Sequence, residues 1–303
     1  MPRPDPLPES LAASGFTVRE ARQRGVSRSR LRAGDLGAPF HAVRAPAGVL
    51  DLRSRAAAYS AWMQPTQFFS HSTAAQLHGF RMPEGFRETG LHVTSIAPLR
   101  APRGTGIIGH ASQRATVELI DGLRLLSATE TWCQLSATLS LSDLVVMGDG
   151  LVRRKDPIAT MEGLRAAASR YSGRGCRMLR DALALVRPGT DSARETALRL
   201  LVATAGFPEP EINGLIRNSY GAEIAHGDLV FRRYRTILEY EGRQHSESDR
   251  QFAIDVSRLD DLMEDRWRVI RVDKALMAKR ATLIDKIDRA LRDGGWNPRL
   301  PSS

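Results

Sequence analysis

The stretch HGDLVFRRYRTILEYEGRQH, residues 226–245, sets the strictest condition on any fold this chain adopts. Two apolar runs, 228–231 and 236–241, flank a basic turn and read as a β-hairpin. Asp228, Glu239 and Glu241 interrupt those apolar runs. A carboxylate in a strand is destabilising when buried unless it is paired, hydrogen-bonded or bound to a cation. With Arg233 and Tyr234 at the tip, Asp228 stands opposite Glu239 on one face of the sheet. Glu241, two residues on, shares that face. Like charges placed opposite each other repel, so three acids on one patch imply a cation. Oxygen donors of this kind suit Mg²⁺ or Mn²⁺. Such a metal binds a phosphate oxygen and lowers the pKa of an attacking water.

The region around the hairpin alternates regularly. A helix is expected over 192–205, stopped at Gly206-Phe207-Pro208. Another is expected over 247–265, where Phe252, Val256, Leu259 and Met263 recur at helical spacing. The apolar strand WRVIRV and a helix over about 275–292 follow. This order predicts a small mixed sheet flanked by helices, an α/β unit over 191–295.

The front half reads differently. Residues 8–50 predict a helix capped by Thr17, with Glu20 as capping-box partner and Gly25 as its end. A second short helix is expected from Ser27 to about Ala33, then a strand pair in FHAVRAP. Helix, turn, basic helix and β wing is the order of a winged helix-turn-helix. Arg28, Arg30 and Arg32 lie on the second helix, either facing DNA or forming its solvated side. Residues 56–155 read as a mixed α/β unit: a helix in SHSTAAQLHGF, strands in GLHVTS and GTGIIGH, and helix after Ser127 with Glu130 as its box partner. His71, His78, His92 and His110 fall there without metal-ligand spacing and read as structural. Residues 156–190 predict one or two linking helices broken at YSGRG.

Charge separates the two halves. The net charge is +10, yet residues 191–303 balance 19 cations against 19 acids, so the excess lies in front. Ten Arg against five acids in residues 1–55 point to a nucleic-acid partner for that end. Cys133 and Cys176 lack CxxC spacing, which argues against a disulfide framework or a cysteine zinc site. No run is apolar enough to span a bilayer, and the first ten residues lack a signal-peptide core. The expectation is a cytoplasmic protein with no membrane partner.

Taken together, Asp228, Glu239, Glu241-Gly242 and His245, then DVSRLDDL and WRVIRV, resemble the very-short-patch-repair endonuclease-like domain of the PD-(D/E)XK nuclease superfamily. The resemblance covers about residues 190–280. It implies a restriction-endonuclease-type core in which Asp228 and Glu239, with Glu195 from the preceding helix, hold Mg²⁺ or Mn²⁺. Glu241 stands where most of the superfamily has lysine. His245 matches that branch's functional histidine, and Asp255 with Arg258 its helix-borne pair. SHSTAAQLHGF, LHVTS and SATETWCQL resemble the AbiEi family of antitoxins and regulators, over about residues 10–155. That resemblance implies DNA as partner, with a cognate toxin or a repair factor besides. Fusion of the two parts is a familiar architecture in bacterial proteins.

Each residue also has a plainer role. Glu195 completes a capping box with Ser192. Asp228 and Glu241 sit near strand ends, His245 at a sheet edge, and Asp255 with Arg258 at ion-pair spacing. Two functions therefore stand. One is a metal-dependent DNA endonuclease. The other is a non-catalytic DNA-binding regulator or antitoxin with a degenerate nuclease-like domain. RNA in place of DNA is compatible with either.

Overall fold

The computed structural model describes residues 4–12, 15–48, 50–87, 89–218, 220–241 and 260–298. The chain divides into two compact units, 1–144 with 162–183, and 145–161 with 184–303. Both are mixed α/β, and three sheets are present among the described residues. No described helix is long and apolar enough to cross a membrane.

The first unit opens with a three-stranded sheet of β1 (Phe16–Thr17), β2 (Leu36–Gly37) and β3 (Val43–Pro46), with β3 in the middle. Thr17 caps the helix Val18–Gln23 by accepting from the Glu20 N–H at 3.0 Å, and Gly25, at φ +82°, ends it. The helix expected from Ser27 is a single 3₁₀ turn, Arg30–Arg32. Ser27 Oγ accepts from the Arg30 N–H at 3.1 Å, Ser27 O accepts from the Leu31 N–H at 3.1 Å, and the chain turns out at Ala33 without extending the helix. Leu11, Phe16, Ala21 and Leu31 bury this layer.

The larger sheet of the unit has the order β6-β5-β4-β8-β7. Its strands are β4 (Gln67–Phe69), β5 (Leu91–Ile96), β6 (Ile107–Ser112), β7 (Val117–Ile120) and β8 (Leu123–Leu126). β5 and β6 run parallel, with Thr94 beside His110, while β4 and β5 are antiparallel, with Phe69 beside Val93. Leu91 and Val93 point into a core with Phe69, Leu123, Leu125 and Tyr59, so His92 and Thr94 face the other way. Ser127 caps the helix Ala128–Leu135 from the Glu130 N–H. The Glu130 carboxylate turns to Thr116 instead of closing the box, at 3.0 Å from its N–H and 2.6 Å from its hydroxyl. The segment 156–190 holds two helices, Met161–Arg170 and Cys176–Leu185.

The second unit holds the sheet β12-β11-β10-β9. Its strands are β9 (Glu211–Arg217), β10 (Glu223–Phe231), β11 (Thr236–Tyr240) and β12 (Arg268–Val272). β9, β10 and β11 pair antiparallel in succession, and β12 joins β11 in parallel. One face carries Leu229, Phe231, Leu238 and Val272. It is covered by Leu198, Leu201 and Val202 of the helix Ala193–Thr204 and by Leu283, Ile287 and Leu291 of the helix Arg280–Asp293. The spacing 283, 287, 291 keeps one helix face on the sheet. The other face carries Ile216, Val230, Ile237 and Leu262. Of the helix expected over 247–265, residues 260–264 are described and helical, and the rest lie outside the described residues.

A buried ion pair ties the helix Ala193–Thr204 to the segment before it. Arg199 Nη2 donates to Asp149 Oδ2 at 2.7 Å, and Asp149 Oδ1 accepts from the Arg187 N–H at 2.8 Å. Burial pushes the Asp149 carboxyl above its usual range, and Arg199 beside it pulls it back. Removing one partner leaves a buried charge without compensation. Asp149→Ala is expected to lower unfolding stability in urea by roughly 3–5 kcal/mol. The pair Asp149→Leu with Arg199→Met is expected to recover most of that loss; a double variant no more stable than Asp149→Ala would show that the charges are not the cause.

Candidate functional site

The hairpin register is the one the turn implies. β10 and β11 pair Leu229 with Leu238, Val230 with Ile237 and Phe231 with Thr236. Asp228 and Glu239 are the next residues along, just past the last ladder pair. The turn is a 3₁₀ segment, Arg232–Tyr234, closed by Arg235 in the left-handed region at φ +46°. Where the ladder stops, the Asp228 side chain takes over: its Oδ2 accepts from the Tyr240 N–H at 2.7 Å. The acid therefore has a structural duty at the point where it enters the site.

β9 extends the row. Its register with β10 pairs Leu229 with Ile212 and Gly227 with Gly214, which puts Asn213 beside Asp228. Asn213 has φ +48°, in the left-handed region that asparagine tolerates better than most residues. Its Nδ2 donates to Gly189 O at 2.6 Å and to Glu195 Oε2 at 3.3 Å. Glu195 is buried at the start of its helix. Its backbone N–H donates to Ser192 Oγ at 3.1 Å, and its Oε2 accepts from the Asp191 N–H at 2.8 Å. Ser192 thus caps the helix, while the Glu195 carboxylate goes to the N–H one residue before the cap instead of closing the expected box on Ser192, and reaches the row through Asn213.

On the far side, β12 sets Arg271 beside Glu239. Arg271 Nη1 lies 3.2 Å from Glu241 Oε1, and both side chains are about half exposed. The Glu241 N–H donates to Val272 O at 2.8 Å. Asn213, Asp228, Glu239 and Arg271 therefore form a polar row across four strands, with Glu195 at one end and Glu241 at the other. Asp228 and Glu239 are partly exposed. The like-charge conflict expected of the hairpin acids is relieved by hydrogen bonds and an arginine. His245, Asp255 and Arg258 lie outside the described residues.

The row does not draw three acids into one tight cluster. Among the described residues, the group of three or more His, Cys, Asp or Glu whose ligand atoms all lie within 4.8 Å of one another is His71, His92 and His110, in the first unit. Those histidines read as structural in sequence because each comes from a different element. A cleft of about 790 Å³ also lies in the first unit, lined by Ser112, Arg114, Glu130, Gln134, Arg170 and Tyr171 among others. Cys133 on its wall is no nucleophile, since burial pushes its thiol up to about 12.

The basic front end is only partly free. Arg28 and Arg32 are exposed. Arg30 is largely covered and forks onto Asp35, with Nη1–Oδ1 at 2.8 Å and Nη2–Oδ2 at 2.7 Å. Of the three arginines expected to meet DNA, it is the one committed within the fold.

No family model, curated protein or solved structure matches the chain.

Replacing Asp228 by Ala strands the Tyr240 N–H, which costs roughly 1–3 kcal/mol where that group is screened from water. Asp228→Asn keeps an oxygen acceptor in place and is expected to retain most of the stability. Denaturant unfolding of both variants checks this, and equal stability of the two would remove the structural duty assigned to the carboxylate.

Proposed function

We propose that the chain is a metal-dependent DNA endonuclease whose reaction centre lies at the end of the hairpin. On this reading residues 191–295 form a PD-(D/E)XK-type core, and residues 8–50 form a winged helix-turn-helix that positions the duplex. The observation that carries it is the adjacency of Asp228 and Glu239 on neighbouring strands, beside a buried Glu195 linked to them through Asn213.

The donor set fits a hard divalent cation. Mg²⁺ keeps most of its waters and is commonly held by one or two carboxylates together with substrate phosphate oxygens. Two partly exposed carboxylates meet that requirement without a closed cage. Asp228 and Glu239 would hold the cation. Bound there, it would supply Lewis-acid charge neutralisation and a more acidic water.

The chain's own residues would do the rest. Asp228, fixed by the Tyr240 N–H, keeps one carboxylate oxygen oriented. Glu195, buried and hydrogen-bonded to Asn213, would hold that side of the site in place. Arg271 neutralises Glu241 and lowers repulsion at the mouth of the site. His245, three residues past Gly242, would move a proton to or from the attacking water or the leaving oxygen. Arg28 and Arg32 would make salt-sensitive phosphate contacts.

A non-catalytic DNA-binding regulator is the second reading. It is favoured by the prior commitments of the acids: Asp228 to a backbone N–H and Glu241 to Arg271. One experiment separates the two. Purified protein is incubated with supercoiled plasmid and with mismatched duplexes, with Mg²⁺ or Mn²⁺, beside Glu239→Gln and an EDTA control. The nuclease reading expects nicking that needs metal and falls by at least about 100-fold in Glu239→Gln, the order of loss seen when a group stabilising the transition state is removed. Salt-dependent duplex binding without cleavage under any metal would leave the regulator.

A further inference from the structure

The three clustered histidines of the first unit come from two neighbouring strands and from the helix that follows a third. His110 is on β6, His92 is on β5, and His71 opens the helix His71–Leu77 two residues after the end of β4. β6, β5 and β4 are adjacent in the sheet, so the topology stacks the rings side by side. Ring centroids are 3.9 Å apart for His71 and His110, 5.1 Å for His92 and His110, and 5.4 Å for His71 and His92. His92 Nδ1 and His110 Nε2 face each other at 2.9 Å. One of them must carry a proton and the other a lone pair for that contact to hold.

Hydrogen bonds hold His71 and its neighbours in place. His71 Nδ1 lies 2.9 Å from Ser70 Oγ, which accepts from Thr94 Oγ1 at 2.7 Å. That leaves Nε2 of His71 as the nitrogen free to coordinate. The His71 N–H donates to Gln134 Oε1 at 3.1 Å, and the His92 N–H to Thr73 Oγ1 at 2.8 Å. His71 itself sits at φ +50°. That left-handed backbone is uncommon for a residue other than glycine. Burial, with the neighbouring His110 and His92, lowers the His71 pKa to about 3, and burial with His92 lowers that of His110 to about 4.

We propose that His71, His92 and His110 form a binding site for a first-row transition-metal ion of the Zn²⁺ type. Three imidazole nitrogens and no carboxylate in the cluster select imidazole-seeking metals and give a hard ion such as Mg²⁺ little to bind. Three protein ligands leave a fourth tetrahedral position for water or an exogenous ligand, the arrangement of open zinc sites. With Zn–N bonds of about 2.0–2.1 Å, tetrahedral nitrogens sit about 3.3 Å apart. The ligand atoms here already lie within 4.8 Å of one another. Rotation about χ2, which is broad for histidine, closes the remainder. The metal would replace the His92–His110 hydrogen bond and relieve the stacking of three polar rings. Ser70 Oγ can accept from the His71 Nδ1–H and so serve as an outer partner when Nε2 binds the metal. The site does not depend on the nuclease reading, and its residues all belong to the first unit.

The test uses tag-free full-length protein stripped with chelator and titrated with Co²⁺, read by visible absorption, then with Zn²⁺ in competition. One Co²⁺ per chain with a tetrahedral spectrum is expected, displaced by one equivalent of Zn²⁺ and untouched by millimolar Mg²⁺. His92→Asn and His110→Asn are each expected to weaken binding by about 100-fold or more, because even loss of an outer partner costs 10–100-fold. The exposed His41→Asn is expected to bind as wild type. Should the ligand variants fold poorly, ¹⁵N-histidine spectra of the wild type decide: Zn²⁺ must shift three imidazoles of the seven in the chain. No stoichiometric binding, equal binding by wild type and His110→Asn, or a spectrum in which other histidines respond would overturn the site.

Discussion

Strand register in the second unit is the constraint on which its polar row depends. Leu229 faces Leu238, so both enter the core beneath the two covering helices. A slip of one residue would exchange the faces, bringing Asp228 and Glu239 inward and turning the leucines out. The apolar residues therefore fix where the acids go. β12, added in parallel to β11, then fixes which charge stands beside Glu239. The acids are tolerated because the same sheet supplies the Tyr240 N–H and Arg271 to meet them.

The two units offer different chemistry to cations. The second presents partly exposed carboxylate oxygens at a strand end, suited to a hydrated hard ion and a phosphate. The first presents three clustered imidazoles, one of them against a serine hydroxyl, suited to a softer ion. If both proposals hold, metal dependence measured on the whole protein would have two sources, separable by variants of one donor set or the other.

Local signals were legible in the sequence. Thr17, Ser127 and Ser192 each cap the helix that follows, because a hydroxyl three residues before a free N–H satisfies it without help from the rest of the fold. The Asp228–Glu239 juxtaposition was legible from the turn alone, since a hairpin carries its register in its loop length. Non-local pairing was not. β9 carries Asn213-Gly214 in its middle, and no local pattern marks it as a strand. There a Cβ on Gly214 would come within 3.0 Å of Val230 Cγ2. The Glu241–Arg271 pair needed the parallel register of a strand some thirty residues further on. The histidine cluster needed three strands to be placed side by side, and no spacing along the chain encodes that order.

Mn²⁺ binding to the full-length protein, counted by electron paramagnetic resonance, tests the central claim most directly. If Asp228 and Glu239 hold a hard cation, one Mn²⁺ site is lost in Glu239→Gln and retained in His110→Asn. Equal Mn²⁺ binding by wild type and Glu239→Gln would contradict the account, leaving the polar row as a device that only orders the sheet.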